Sequence, residues 1–283
     1  MTRPAAPHTA FIGGGNMAVA ILEGLLDAGQ PPERLLVIEP HPPQAALLRD
    51  RFNLQVEAAP DAALRSADVA LWAVKPQAFA EAAASCAPFL GEALHLSIMA
   101  GIRSQAIARL LSSERVVRAM PNTPALIGEG IAGLFARDAV TAEDRATVRD
   151  LLACTGETMF FARESDLDAV TALSGSGPAY VFYFLEAMTQ AAVDMGLSVE
   201  QGRRLAEATF KGATALARRS DEPLETLRAR VTSRGGTTHA AIQAMETGGL
   251  KSALVAAIAA ARARASELGD EFDASSRAET CRR

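Results

Sequence analysis

The chain has 283 residues, with 28 Lys and Arg against 33 Asp and Glu, a formal net charge of −5. At roughly 150 residues per domain this length implies about two domains with a sizeable core; 49% hydrophobic and 22% charged residues exclude a disordered chain, and the acidic total excludes a broad nucleic-acid footprint. The longest strongly apolar stretch, Ala253–Ala261, is about half of the ~20 residues a bilayer span needs, so no membrane association is expected.

In chain order, residues 1–8 read as an unstructured start with no apolar signal segment. The apolar run Thr9–Ile12 predicts a strand that ends in Gly13-Gly14-Gly15 and feeds a helix over Asn16–Ala28. Leu35–Ile38, Val69–Val74, Leu94–Ile98 and Arg115–Arg118 read as further strands, separated by helices at Ala45–Arg51, Ala78–Cys86 and Ser104–Leu111. This alternation predicts βαβ units on a mostly parallel, Rossmann-like sheet. Two more strands, Gly130–Phe135 and Gly156–Phe161, flank a helix at Ala142–Leu152. Beyond Phe161 no strand is expected, only helices at Pro178–Met195, Val199–Ala217, Pro223–Arg230, Thr238–Glu246 and Leu250–Glu267. The fold class is therefore α/β with a second, all-α C-terminal domain. The expected domains are 1–163 and 164–283, the polar, aperiodic stretch 270–283 reading as a disordered tail.

Five segments carry chemistry. Gly13 to Ala18 fits G-x-G-x-x-A between a strand and a helix, where glycines admit a pyrophosphate to the helix N-terminus. Glu39 closes the second strand; such a carboxylate accepts from a ribose 2′-OH and repels a 2′-phosphate, which leans toward NADH. A plain strand-end glutamate fits the pattern equally well. Ala73-Val74-Lys75-Pro76 ends the third strand, on the edge where open α/β sheets bind ligands, and Lys75 is one of three lysines in the chain. The rigid loop Arg118 to Pro124 offers Asn122 as a wall of that edge. Ser174-Gly175-Ser176-Gly177-Pro178 is a helix start with room for a ring against backbone, or simply an N-capping loop. Val231 to Thr238, with Arg230 and Arg234, brings hydroxyls and N–H groups to a helix N-terminus, a place for a small carboxylate; the bland alternative is a Gly-Gly turn with a Thr cap. Acids at Glu164, Asp166 and Asp168 suit a solvated helix start. The three cysteines (Cys86, Cys154, Cys281) and four histidines are scattered, so no metal and no disulfide framework is expected, and a reducing cytoplasm is the simplest setting.

Together FIGGGNM, AVKP, RAMPNTP, ALSGSGPAY and VTSRGGTTHAAI make the chain resemble the Δ1-pyrroline-5-carboxylate reductases over about residues 9–268. The resemblance implies NAD(P)H-dependent reduction of a cyclic imino acid to L-proline, the last step of proline biosynthesis. The cofactor, NADP(H) or NAD(H), would meet Gly13, Gly15, Asn16, Met17, Glu39, Ala73, Val74, Lys75, Pro76, Ala100 and Asn122. The substrate would meet Glu164, Ser174, Gly175, Ser233, Gly236, Thr237 and Thr238, with Thr238 at the ring nitrogen as the catalytic group. It also implies a homodimer through the C-terminal helices and, in some members, a ring of dimers. Two positions depart from the family: Arg234 replaces a usual proline, and Glu39 stands where a small hydroxyl residue is common, which puts the usual NADPH preference in doubt. Among other readings, a β-hydroxyacid dehydrogenase is disfavoured by Ala215 four residues after Lys211, where that family places an asparagine. An imine reductase with a broader pocket remains open. A non-catalytic dinucleotide sensor would need neither the SGSGP nor the GGTT segment.

Overall fold

The computed structural model describes residues 6–280. The chain divides into two compact units: residues up to Ser176 with those from Ala261 on, and Gly177–Ala260.

The first unit carries strands β1 (Thr9–Ile12), β2 (Leu35–Ile38), β3 (Gln55–Glu57), β4 (Val69–Trp72), β5 (Leu94–Ser97), β6 (Val116–Met120), β7 (Gly130–Ala136) and β8 (Gly156–Phe160). Its helices are α1 (Asn16–Asp27), α2 (Pro42–Phe52), α3 (Phe79–Leu90), α4 (Ser104–Leu111), α5 (Ala142–Leu152) and α6 (Asp166–Val170). The strands form one sheet in the order β3-β2-β1-β4-β5-β6-β7-β8, with every pair parallel except β6–β7. β1, β4 and β5 are buried along their whole length. Such runs are apolar without alternation because helices cover both faces of a parallel sheet. The period of two still sorts the side chains: Phe11, Leu71 and Leu96 join a core with α1 and α5, while Ile12 and Trp72 join one with α3 and α4. β1 has β2 on one side and β4 on the other, so the chain order reverses there. Ligands of open α/β sheets bind at such a reversal, beyond the strands' C-terminal ends.

Several buried polar groups of this core are paired, while the Thr9 hydroxyl in β1 has no hydrogen-bond partner among the described residues. Trp72 Nε1 donates to His95 Nδ1 over 3.3 Å, and the Phe79 ring stands edge-on to Trp72 at 5.3 Å between centroids. Burial, and secondarily the Arg115 charge, push the His95 imidazole down to about 4, so it is neutral. Thr141 and Asp144 form a reciprocal capping box on α5, and Asp144 pairs with Arg115 at 2.5 Å.

The structure departs from the sequence expectation at several places. β3 was not anticipated: its three residues add to the sheet edge beside β2. The compact unit of the sheet extends past residue 163 to Ser176, because the stretch after it packs on the sheet: Leu167 is buried, and Val170 Cγ1 lies 2.7 Å from where a Cβ on Gly133 would stand. The expected disordered tail from Asp270 is instead helical to Thr280, held by Arg103, which pairs with Asp270 at 2.7 Å and Asp273 at 3.0 Å. Residues 281–283, including Cys281, and residues 1–5 lie outside the described residues. Of the expected unstructured start, Ala6 to His8 are hydrogen-bonded to Arg34, Gln30 and Asp68.

The second unit contains α7 (Gly177–Asp194), α8 (Val199–Arg218), α9 (Leu224–Arg230), α10 (Thr237–Thr247) and the first part of α11 (Leu250–Thr280). α7 and α8 meet closely at Gly202, where an added Cβ would lie 2.8 Å from the Ala192 Cβ. Ser198 and Gln201 form a capping box that starts α8. Within α7 and α8 the buried residues are Ala192, Gly202 and Ala206, while Phe182 is 59% and Tyr183 72% exposed. Helices this apolar bury their faces against something.

Candidate active site

Gly13, Glu39, Ala73, Ala100 and Asn122 each follow the last residue of β1, β2, β4, β5 or β6 by one to three positions. Those strands are parallel, so the five residues share one edge of the sheet. Gly13 sits at φ +97°, and a Cβ there would come within 2.8 Å of the Ala73 carbonyl oxygen and 3.1 Å of Val74 Cγ1. Only glycine satisfies both conditions. Gly15 is the N-cap of α1 without a side-chain cap, and a Cβ on it would meet open space. The first backbone bond of α1 runs from Val19 N–H to the Gly15 carbonyl, so the N–H groups of Asn16 and Met17 have no helical acceptor. Open space before a glycine-capped helix end suits a pyrophosphate. Lys75 and Ala100 are exposed at the same edge, and Val74 and Pro76 half-buried.

Glu39 is nearly buried. Its Oε2 accepts from Gly14 N–H at 2.8 Å and its Oε1 from His41 N–H at 2.9 Å. The carboxylate is thereby fixed beside the glycine turn, and it is no loose strand end. Asn122 Oδ1 accepts from Ile131 N–H at 2.9 Å, which ties the loop after β6 to β7.

Glu164 lies in the same unit. Its Oε1 accepts from Ser104 N–H at 2.5 Å and Arg118 Nη1 at 2.6 Å, and its Oε2 from Ser104 Oγ–H at 2.6 Å. Burial alone would raise this carboxyl; the Arg118 charge and the Ser104 donors outweigh it and hold Glu164 below the usual carboxylate range. Sequence reasoning missed Ser104 and Arg118. The available signal was Arg118 itself, a charge inside an apolar strand, which needs a buried partner. Ser174 and Gly175 are not in a capping loop. They belong to a π-helical turn, Thr171–Gly175, between α6 and α7, where Ser174 Oγ donates to the Val170 carbonyl at 3.0 Å. Single π turns recur at functional sites. A Cβ on Gly175 would lie 2.7 Å from Met120 Cε.

Ser233, Gly236, Thr237 and Thr238 belong to the second unit. α10 begins at Thr237, with Gly236 as an extended N-cap lacking a side-chain cap; no threonine caps it. Gly236 N–H donates to the Ser233 carbonyl at 3.0 Å, which folds the turn, and Gly235 takes φ +76°. The N–H groups of Thr237 and Thr238 precede the first helical bond, Ala240 to Gly236. Of the two nearby cations, Arg230 is engaged by Glu222 at 2.6 Å and Arg234 is exposed. Among the described residues no group of three His, Cys, Asp or Glu is placed to hold a metal, and no helix is long and apolar enough to cross a membrane.

A family model described as pyrroline-5-carboxylate reductase dimerisation matches residues 164–268, and one described as NADP oxidoreductase, coenzyme F420-dependent, matches residues 8–101. A pyrroline-5-carboxylate reductase of Pseudomonas aeruginosa is 40% identical over 269 residues, covering 94% of this chain and 98% of the relative. The chain belongs to the pyrroline-5-carboxylate reductase family. The structure of a pyrroline-5-carboxylate reductase from Coxiella burnetii superposes with a TM-score of 0.87 at 33% identity, over 93% of this chain and 98% of that one. The Plasmodium falciparum pyrroline carboxylate reductase, solved with NADP bound, gives a TM-score of 0.84 at 29% identity, over 94% and 99%. Pyrroline-5-carboxylate reductases are oxidoreductases, so the dinucleotide-type edge belongs to an enzyme rather than a sensor.

Proposed function

We propose that this chain performs the reaction its family is named for, reducing the cyclic imine 1-pyrroline-5-carboxylate to L-proline with NAD(P)H, the closing step of proline biosynthesis. One observation carries the reading: each unit holds a helix whose N-cap is an extended glycine without a side-chain cap, Gly15 on α1 and Gly236 on α10. Two open helix ends suit two anions, a dinucleotide pyrophosphate and a small carboxylate.

On this reading Gly13, Gly15, Asn16 and Met17 admit the phosphates, Ala73 to Pro76 line the nucleotide, and Ala100 and Asn122 border the nicotinamide. When bound, the dinucleotide supplies the hydride. Ser233, Gly236 and Thr237 hold the substrate carboxylate through backbone and hydroxyl donors; the family resemblance adds Ser174 and Gly175 as substrate contacts. The Thr238 hydroxyl hydrogen-bonds the ring nitrogen, which draws electrons from the imine carbon (C5 of the proline product) and fixes the ring for hydride delivery. Thr238 is too weak an acid to protonate the imine alone, so it orients the ring and relays to its nitrogen a proton that comes from solvent water. The fixed Glu39 carboxylate favours NADH over NADPH, because it accepts from a ribose hydroxyl and repels a phosphate there.

The exposed apolar faces of α7 and α8 pair with those of a second copy, making a homodimer through the C-terminal helices, which assembles further into a ring of dimers. Burial pushes the Cys86 and Cys154 thiols up to about 11, so they are inert, as suits a cytoplasmic enzyme. The test is an assay of the purified protein with racemic 1-pyrroline-5-carboxylate and NADH or NADPH. Substrate-dependent cofactor oxidation with L-proline as product supports the reading; folded dimer that oxidises neither cofactor contradicts it.

A further inference from the structure

We infer that Glu164, Ser104 and Arg118 form a latch that positions the nicotinamide side of the active site, and that Glu164 is a positioning residue and not a substrate ligand. The inference rests on the reading that Ala100 and Asn122 border the cofactor.

Three protein donors already engage both oxygens of Glu164: Ser104 N–H, Ser104 Oγ–H and Arg118 Nη1, all within 2.6 Å. A carboxylate offers about four acceptor positions. Glu164 therefore has little left to give a substrate, which is itself a carboxylate that it would repel. Its attachments explain why it is there. Arg103, the N-cap of α4, makes no side-chain cap, and Glu164 takes that place from 60 positions away, putting a negative charge on the helix N-terminus. It also neutralises Arg118, whose side chain is 9% exposed within the sheet. A charge buried there without a partner is strongly destabilising.

The latch joins three pieces of the edge. Ser104 directly follows the Ala100 to Arg103 loop. Arg118 is in β6, two residues before Met120 and four before Asn122. Glu164 leads into α6 and the π turn, whose Gly175 packs on Met120 Cε. Arg137 Nη1 donates to Ser104 Oγ at 3.3 Å and extends the network to the end of β7. Removing the Glu164 charge therefore loosens the Ala100 loop, the Asn122 loop and the Gly175 turn together.

The experiment compares full-length Glu164→Gln, Arg118→Met, Ser104→Ala and the Glu164→Gln/Arg118→Met double variant with wild type. It reads dinucleotide Kd by nicotinamide fluorescence, imine KM, kcat and Tm. We expect Glu164→Gln to raise the dinucleotide Kd at least fivefold and to lower kcat, with the double variant no worse than Arg118→Met alone. If Arg118→Met does not fold, Ser104→Ala with Glu164→Gln supplies the same cycle. A rise in imine KM with dinucleotide Kd unchanged makes Glu164 a substrate ligand and overturns the inference. A fall in Tm with Kd and kcat unchanged makes it merely structural and also overturns it. Gly13→Ala is the control for the underlying reading: if that variant binds dinucleotide as wild type does, the cofactor edge itself is misplaced, whatever Glu164 does.

Discussion

Gly14 donates its backbone N–H to Glu39 Oε2 at 2.8 Å, so the glycine turn after β1 and the acid after β2 are one construction. The bond fixes the Glu39 carboxylate beside the glycine turn, where the proposed function places the cofactor ribose. Glu39→Gln removes the charge and keeps an acceptor. The ratio of kcat/KM for NADPH over NADH is expected to rise at least about tenfold, equivalent to ~1.4 kcal/mol. Steady-state kinetics with both cofactors check it, and an unchanged ratio would remove Glu39 from the selectivity.

Gly13 is held at φ +97° with the Ala73 carbonyl 2.8 Å from its would-be Cβ. Gly13→Ala meets left-handed strain of roughly 1–2 kcal/mol, together with that collision. Dinucleotide affinity should fall by about tenfold or more, because the turn and the Ala73 to Pro76 segment move apart. Gly15→Ala meets no clash in the protein, so its cost should appear in dinucleotide affinity while Tm stays near wild type. Fluorescence titration and thermal melting separate the two.

Thr238 is the second residue of α10, and its hydroxyl is not needed to cap that helix. Thr238→Ala should therefore lower kcat by about 10- to 100-fold, the range of a lost orienting contact, with Tm nearly unchanged. Wild-type turnover in this variant would remove Thr238 from the mechanism.

His95 makes stability depend on pH. Its imidazole sits at about 4 in the folded chain against an ordinary 6.5, because burial disfavours the charged form. The stabilisation from keeping it neutral is fully present above pH 6.5 and is lost as pH falls through 6.5 toward about 4. The full shift is on the order of 3 kcal/mol. The expected outcome is a Tm that drops across this window in wild type and drops less in His95→Asn, even though that variant starts lower. Parallel curves would exclude His95 as the source.

Much of this was legible in the residues. The buried parallel strands announce themselves as apolar runs, and the turn after β1 as a glycine cluster bracketed by strand and helix. What was hidden depends on partners distant in sequence. β3 is three residues, two of them polar, and exists because β2 offers it a ladder. The end of α11 is polar and aperiodic and reads as a tail, yet it continues as helix, and Arg103, about 170 positions earlier, pairs with its Asp270 and Asp273. Ser174 and Gly175 look like a loop because they are small, yet the helix simply widens by a π turn there. The contacts of Glu164 with Ser104 were hidden because the two residues are 60 positions apart.

The measurement that bears most directly on the account is a turnover with NADH carrying deuterium at the transferred C4 position and 1-pyrroline-5-carboxylate as substrate, with the product analysed by mass and chirality. The account predicts L-proline with a single deuterium at C5, formed in step with cofactor oxidation. Unlabelled proline, or cofactor oxidation without proline, would contradict it.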